Sequence, residues 1–323
     1  MTPHLQILSA SSCGSIDPTF SQNLLNHLRG RVTTTVHADV VVVVISNVAN
    51  YQFNTALRHV NKPVVVIDLL ELYGDEPGLK DTLIFGKDEV LKQGEEWQPF
   101  HQWLKENPPA LYFKRELFEK DRSANVLPIE WPCVNDAWEI EPKSEFDRRP
   151  FTLFFNWGFS NPIRPRLASE IYALMADHKV DVIASFEHID AKALEPHTKF
   201  ISIHSLHTHR VPIGEIMRRQ AQSKMSVSLP GSGNVCFRST EAPVHTVPVF
   251  LADGMAHAFP WVDMENCIRI YSPHLQTMAE QIYLLRDLPN LHDIYVSAQE
   301  NIDRYRSSRF ANEYVIPEIA KRL

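Results

Sequence analysis

The chain has 323 residues, 44% of them hydrophobic, and a formal net charge of −7. That is enough for two folded domains, and it argues against disorder and against a general nucleic-acid-binding surface. Four scattered cysteines, Cys13, Cys133, Cys236 and Cys267, form no CxxC pair, which disfavours a zinc knuckle or disulfide scaffold and predicts a reducing compartment.

The N-terminal stretch lacks the basic start and long apolar core of a signal peptide. The longest apolar run, Val40 to Ile45, is too short to span a bilayer, so a cytoplasmic protein without a membrane span is expected. In chain order, Leu5 to Leu8 reads as a strand running into the small-residue loop Ser9 to Ser15, with a helix at Ser21 to Leu28. Asp39 to Ile45 is a continuous β-branched run, the pattern of a parallel strand covered on both faces. A helix near Tyr51 to Val60 and a second buried strand, Pro63 to Ile67, follow; Ala110 to Lys114 is a further strand. Strands alternating with helices in this way predict βαβ units.

Residues 128–150 combine prolines, acids and tryptophans without periodicity and are the expected linker. The alternation then restarts: strands at Phe151 to Asn156, Val180 to Ser185 and Phe200 to Ile203, with a helix at Arg164 to Met175. A helix at Ile213 to Ala221 precedes the strand Met225 to Leu229. Beyond it lie a helix near Cys236 to Val244, strands at Val247 to Leu251 and Cys267 to Tyr271, a helix at Leu275 to Leu285 and a helical tail over 294–323. The expected fold is therefore α/β: two Rossmann-like domains, 1–140 and 141–323, facing across a cleft at the carboxyl ends of their strands.

The stretch after Leu229 carries the chemistry. Gly231, Ser232, Gly233 and Asn234 form a turn whose glycines permit positive φ and close approach to a ligand. A helix beginning there offers free N–H groups to a phosphate. Arg238 and Glu241, three residues apart on one helix face, suit a diphosphate and a ribose diol respectively, with Ser239 between them. The order of these features predicts a site for a nucleoside-diphosphate sugar.

The block Arg238, Glu241-Ala242, Val247-Pro248-Val249, Asp253 and Pro260-Trp261 resembles the C-terminal half of GT-B glycosyltransferases, and the exostosin-like branch above all. The resemblance covers about Ser223 to Tyr271; the N-terminal half carries no family motif. It implies that Glu241 binds the ribose, Arg238 the diphosphate, and that the terminal helix crosses back to the first domain. Gly233 stands where many retaining members have a second glutamate, leaving the stereochemistry open. The chain has no Asp-x-Asp motif, so a metal-independent reaction is expected, with leaving-group charge met by the helix and a cation.

Other positions complete the expected site. Asn156 and Gly158 end the first strand of the second domain, and His209 and Arg210 close a histidine-bearing loop, all as donor contacts. Lys114 and Arg115 are candidates for phosphate or acceptor, and Asp68 and Asp17 for the general base that an inverting reaction needs. The expected activity is transfer of a sugar from a nucleotide donor, UDP-sugar first, to a glycan, lipid or protein acceptor, with no cofactor required. Two alternatives are a phage-type glucosyltransferase acting on hydroxymethylated DNA bases, using a local patch of Lys114, Arg115, Arg148, Arg149, Arg164 and Arg166, and a non-catalytic sugar- or nucleotide-binding protein.

Overall fold

The computed structural model describes residues 5–9, 39–45, 62–68, 106, 108–115, 117–130, 143–158, 167, 170–171, 174, 180–185, 206–207, 212–228, 244–251, 254–271 and 274–323. Two all-parallel sheets organise these residues. The first has five strands in simple sequence order: β1 (Leu5–Ser9), β2 (Val40–Ile45), β3 (Val64–Asp68), β4 (Leu111–Lys114) and β5 (Val126–Pro128). The second has six: β6 (Phe151–Gly158), β7 (Val180–Ser185), β8 (Leu206–His207), β9 (Ser223–Ser228), β10 (Val247–Leu251) and β11 (Ile268–Ile270). Their order across the sheet is β8-β7-β6-β9-β10-β11. This is the 3-2-1-4-5-6 arrangement of a Rossmann sheet, and the predicted two-unit α/β fold is present.

Strand β5 starts inside what reads as the end of a polar stretch and reaches the proline-rich segment taken as linker; Pro128 is tolerated because β5 is the sheet edge, where no further strand needs its missing N–H. Within the same expected linker, Lys143–Arg148 forms a 3-10 turn whose Phe146 is buried. The strand expected at 200–203 lies outside the described residues, and the edge strand is the two-residue β8, with Leu206 beside Ala184 and His207 beside Ser185.

The second sheet is covered on one face by α2 (Leu275–Leu284) and the first half of α3 (Leu291–Asp303), while α1 (Ile213–Ala221) lies against β9 and β6 on the other. Leu153, Phe155, Met225, Val227, Val249 and Ile270, alternating along their strands, share one core with Ile282, Ile294 and Tyr295. Phe154 points the other way and packs on Ile216 of α1.

Helix α3 has its buried apolar residues at Leu291, Ile294, Tyr295, Ala298 and Ile302, the spacing of one apolar stripe. Its first turns belong to the second core, while Ala298 and Ile302 enter the first. Beyond it α4 (Ser307–Phe310), a π-helical turn (Ala311–Val315) and α5 (Ile316–Ala320) lie against the first sheet. Val40, Val42, Val65, Ile67, Leu111, Phe113 and Leu127, the alternate residues of β2 to β5, share a core with Tyr305, Phe310, Tyr314 and Ile319. Tyr314 donates its hydroxyl to the Pro128 carbonyl at 2.7 Å, and Arg322 reaches the Ala124 carbonyl at 2.9 Å. The C-terminal helices thus cross back to the first lobe.

Candidate functional site

In a doubly wound sheet, ligands sit where the strand order reverses, outside the carboxyl ends of the two strands flanking that point. Here the reversal lies between β6 and β9, which pair directly through Phe151 with Ser223, Leu153 with Met225 and Phe154 with Ser226. Gly158 ends β6 and Ser228 ends β9. The glycine turn of the sequence begins just beyond Ser228, so the switch point and the turn coincide along the chain. Asn156 and Gly158 are in the last turn of the pleat of β6, beside Ile183 and Ser185 of β7. Gly231, Ser232, Gly233, Asn234, Arg238, Ser239, Glu241, His209, Arg210 and Asp17 lie outside the described residues.

Two residues at this point escaped the sequence reading. Ser226 and Ser228 are buried on β9, and the Ser226 hydroxyl has no hydrogen-bond partner among the described residues. The signal was the alternation Met225-Ser-Val-Ser228, which gives this strand one apolar and one hydroxyl-bearing face.

The carboxyl edge of the first sheet gathers Asp68, Tyr112, Lys114 and Arg115. Asp68 ends β3 and pairs with Lys114 at the end of β4. Its carboxylate accepts the Tyr112 hydroxyl, and its main-chain carbonyl accepts the Arg115 N–H at 3.0 Å. Burial, then the Asp68 charge and that hydrogen bond, hold the Tyr112 phenol well above its ordinary pKa. Asp68 is only 1% exposed, so in this state its carboxylate is turned to Tyr112 rather than to solvent. Arg115 is equally buried, and of the two adjacent cations Lys114 keeps exposed surface. Tyr112 was not singled out by sequence because a tyrosine in a strand reads first as core.

Arg149 is buried too, which removes it, with Arg115, from the basic patch drawn for a DNA-binding alternative. Its guanidinium donates to the Ser223 carbonyl at 2.8 Å, to the His245 carbonyl, and to the Tyr295 hydroxyl at 3.2 Å. It also lies 5.0 Å from the Phe146 ring centre and 4.9 Å from that of Tyr295. One side chain therefore joins the turn before β6, the start of β9, the approach to β10 and α3. Burial and the Arg149 charge lower the His245 pKa from 6.5 to about 4, so this imidazole is neutral at pH 7. Cys267 is buried, and its thiol is pushed up to about 12, leaving it no nucleophilic role.

The carboxyl-end loops of the two sheets touch. Phe118, after β4, forms an antiparallel bridge with Met255, after β10. Glu119 donates its N–H to the Gly254 carbonyl at 2.9 Å, and Ala256 to the Leu117 carbonyl at 2.7 Å. Beside this bridge Glu130 meets His257. Among the described residues no group of three or more His, Cys, Asp or Glu side chains is placed to hold a metal ion, and no helix is long and apolar enough to cross a membrane.

No family model matches the sequence. No curated protein matches it either. Solved structures do. The chain is similar to OtsA in its apo form, with 13% identity and a TM-score of 0.54 over 93% of this chain and 76% of that one. It is similar to the E. coli trehalose-6-phosphate protein solved with UDP-2-fluoro glucose, with 12% identity and a TM-score of 0.52 over 92% of this chain and 76% of that one. It is similar also to the pneumococcal O-GlcNAc transferase GtfA, solved with UDP and GlcNAc, with 11% identity and a TM-score of 0.55 over 94% of this chain. It spans 60% of the length of GtfA and 53% of that of TarM, a further neighbour. At these identities the likeness is one of architecture: the fold of this chain is the two-lobed GT-B fold of glycosyltransferases.

Proposed function

We propose that the protein is a glycosyltransferase that moves a sugar from a nucleoside-diphosphate donor, UDP first, to an acceptor hydroxyl in the cleft between its lobes. The observation that carries the reading is the coincidence of the switch point beside β9 with the turn leading to Arg238 and Glu241. The strand-order reversal, where such a sheet takes its ligand, and a sequence block suited to a diphosphate and a ribose follow one another along the chain. The resemblance of that block to exostosin-like enzymes, and the UDP-2-fluoro glucose and UDP with which two structural neighbours were solved, support it.

In this reading residues 141–323 form the donor lobe and 1–140 the acceptor lobe, joined through 128–150. Gly231 to Asn234 and Arg238 hold the diphosphate, Glu241 the ribose, and Asn156, Gly158, His209 and Arg210 border the donor. The amides of the turn and Arg238 supply the positive charge that meets the departing diphosphate, so no metal is called for. Lys114 faces the phosphates or an anionic acceptor. Asp68, or Asp17 in the first loop, takes the acceptor proton if the reaction inverts; for Asp68 this requires the Tyr112 hydroxyl to swing away. The acceptor is a glycan, lipid or protein hydroxyl, and the compartment a reducing cytoplasm.

A thermal-shift panel of UDP, GDP, TDP and CMP compounds tests the reading. A nucleotide at a hundred times its Kd stabilises the native state by about 2.7 kcal/mol. Glu241→Ala is expected to abolish that shift for the preferred nucleotide while leaving the unliganded melting temperature unchanged. No shift with any of the four would overturn the proposal.

A further inference from the structure

Three passages of the chain meet at Glu130: the exit from the first sheet after β5, the segment after β10, and the C-terminal tail. Glu130 is fully buried and the His257 side chain is 10% exposed. One carboxylate oxygen of Glu130 faces His257 Nδ1, and the other accepts the Ala258 N–H at 3.3 Å. One residue on, Phe259 N–H donates to the Tyr305 hydroxyl at 3.2 Å, and that hydroxyl donates to the Phe259 carbonyl at 2.9 Å. Aromatic rings lie beside the pair: Phe250 is 6.3 Å from His257 and 5.4 Å from Trp261, which stacks on Tyr305 at 6.0 Å.

A buried charged or strongly polar pair is no more stabilising, as a rule, than well-packed apolar side chains of the same volume. This site has the aromatic surroundings for such a replacement, so stability is a poor account of why a carboxylate sits there. What a carboxylate adds is direction. Apolar faces slide over one another at little cost, whereas Glu130 has one seat, set by the imidazole and the Ala258 amide together. The bridge at Phe118 and Met255 lies in the same segment, and a slip of one residue would break its two main-chain bonds along with those to Glu130.

We propose that Glu130 and His257 are a registry pair that fixes the angle between the two lobes, and with it the separation between the end of β9 and the Asp68–Lys114 edge of the first sheet. They are positioning residues. Their effect on turnover rests on the glycosyltransferase reading; their effect on lobe geometry does not.

The test replaces both with apolar residues of similar length, Glu130→Met with His257→Met, alongside the single change Glu130→Gln. The expected double variant melts within about 3 °C of the parent, shows a broadened interlobe distance distribution in small-angle X-ray scattering, and exchanges the amides of Ala256 and Ala258 at least about tenfold faster. Glu130→Gln, which keeps shape and one acceptor, is expected to fall between. If the purified protein transfers sugar, kcat falls in the double variant while the donor KM, set within the second lobe, stays near its parent value. Scattering and exchange indistinguishable from the parent overturn the assignment. So does a double variant that unfolds or melts far lower, because the pair then acts through stability. Neither readout needs a nucleotide, so failure here is separable from failure of the proposed activity.

Discussion

Acidification should expose His245. Its folded-state pKa of about 4 lies below the ordinary 6.5, so the unfolded chain binds a proton that the native state refuses. The stabilisation from its burial as a neutral ring is complete above pH 6.5 and is lost as the pH falls toward 4. From the two pKa values, the loss attributable to this one group is about 1.4 kcal/mol at pH 5.5 and about 2.5 kcal/mol at pH 4.5. Carboxylates elsewhere titrate in the same range, so a variant must isolate the effect. His245→Leu removes the titrating ring but keeps the main-chain carbonyl that receives Arg149. Urea unfolding of both proteins at pH 7.0, 5.5 and 4.5 should show the parent losing about 2.5 kcal/mol more than the variant across that span. Parallel stability curves would refute the argument and mean that the ring gains a proton without disturbing Arg149.

Arg149→Met strips several buried acceptors of their donor and should destabilise the protein by about 3 kcal/mol or more in equilibrium unfolding; a cost below about 1 kcal/mol would show that these groups find other partners. Phe310→Ala opens a gap among Phe259, Tyr305 and Tyr314, whose ring centres lie 5.8, 5.7 and 5.5 Å away, and should cost about 3–5 kcal/mol, read as a lowered denaturant midpoint with an unchanged slope.

The second lobe was legible because its strands are marked by composition. Val180–Ser185 and Val247–Leu251 form as the sequence reading has them, and α2 ends one residue early. Strand β5 was hidden by its proline, which only its edge position excuses. The strand expected at 200–203 lies outside the described residues, and the described edge strand beside it, two residues long, carries no periodicity to read. For the candidate site, the chain supplies the type and order of residues after β9, while the pairing of β6 with β9 is a long-range fact that no local pattern encodes. Glu130 and Arg149 were opaque for a related reason. Charged residues in polar, proline-rich stretches read as solvated, and their burial depends on segments about a hundred or more residues away, as the contacts of Glu130 with His257 and of Arg149 with Tyr295 show.

The crossing of the C-terminal helices has a consequence for biogenesis. The first sheet is made of strands that follow one another directly, so a nascent chain has its five strands early. One whole face of it nevertheless waits for residues near the end of the chain, since Pro128 is closed by Tyr314, 186 residues later. During elongation at about 5–20 residues per second, that face is bare for about ten seconds or longer. Its occupants are valines, isoleucine, leucine and phenylalanine on parallel strands, a surface prone to pair with other chains. A ribosome that has made the five strands therefore holds an adhesive half-domain until residues 305–319 have emerged.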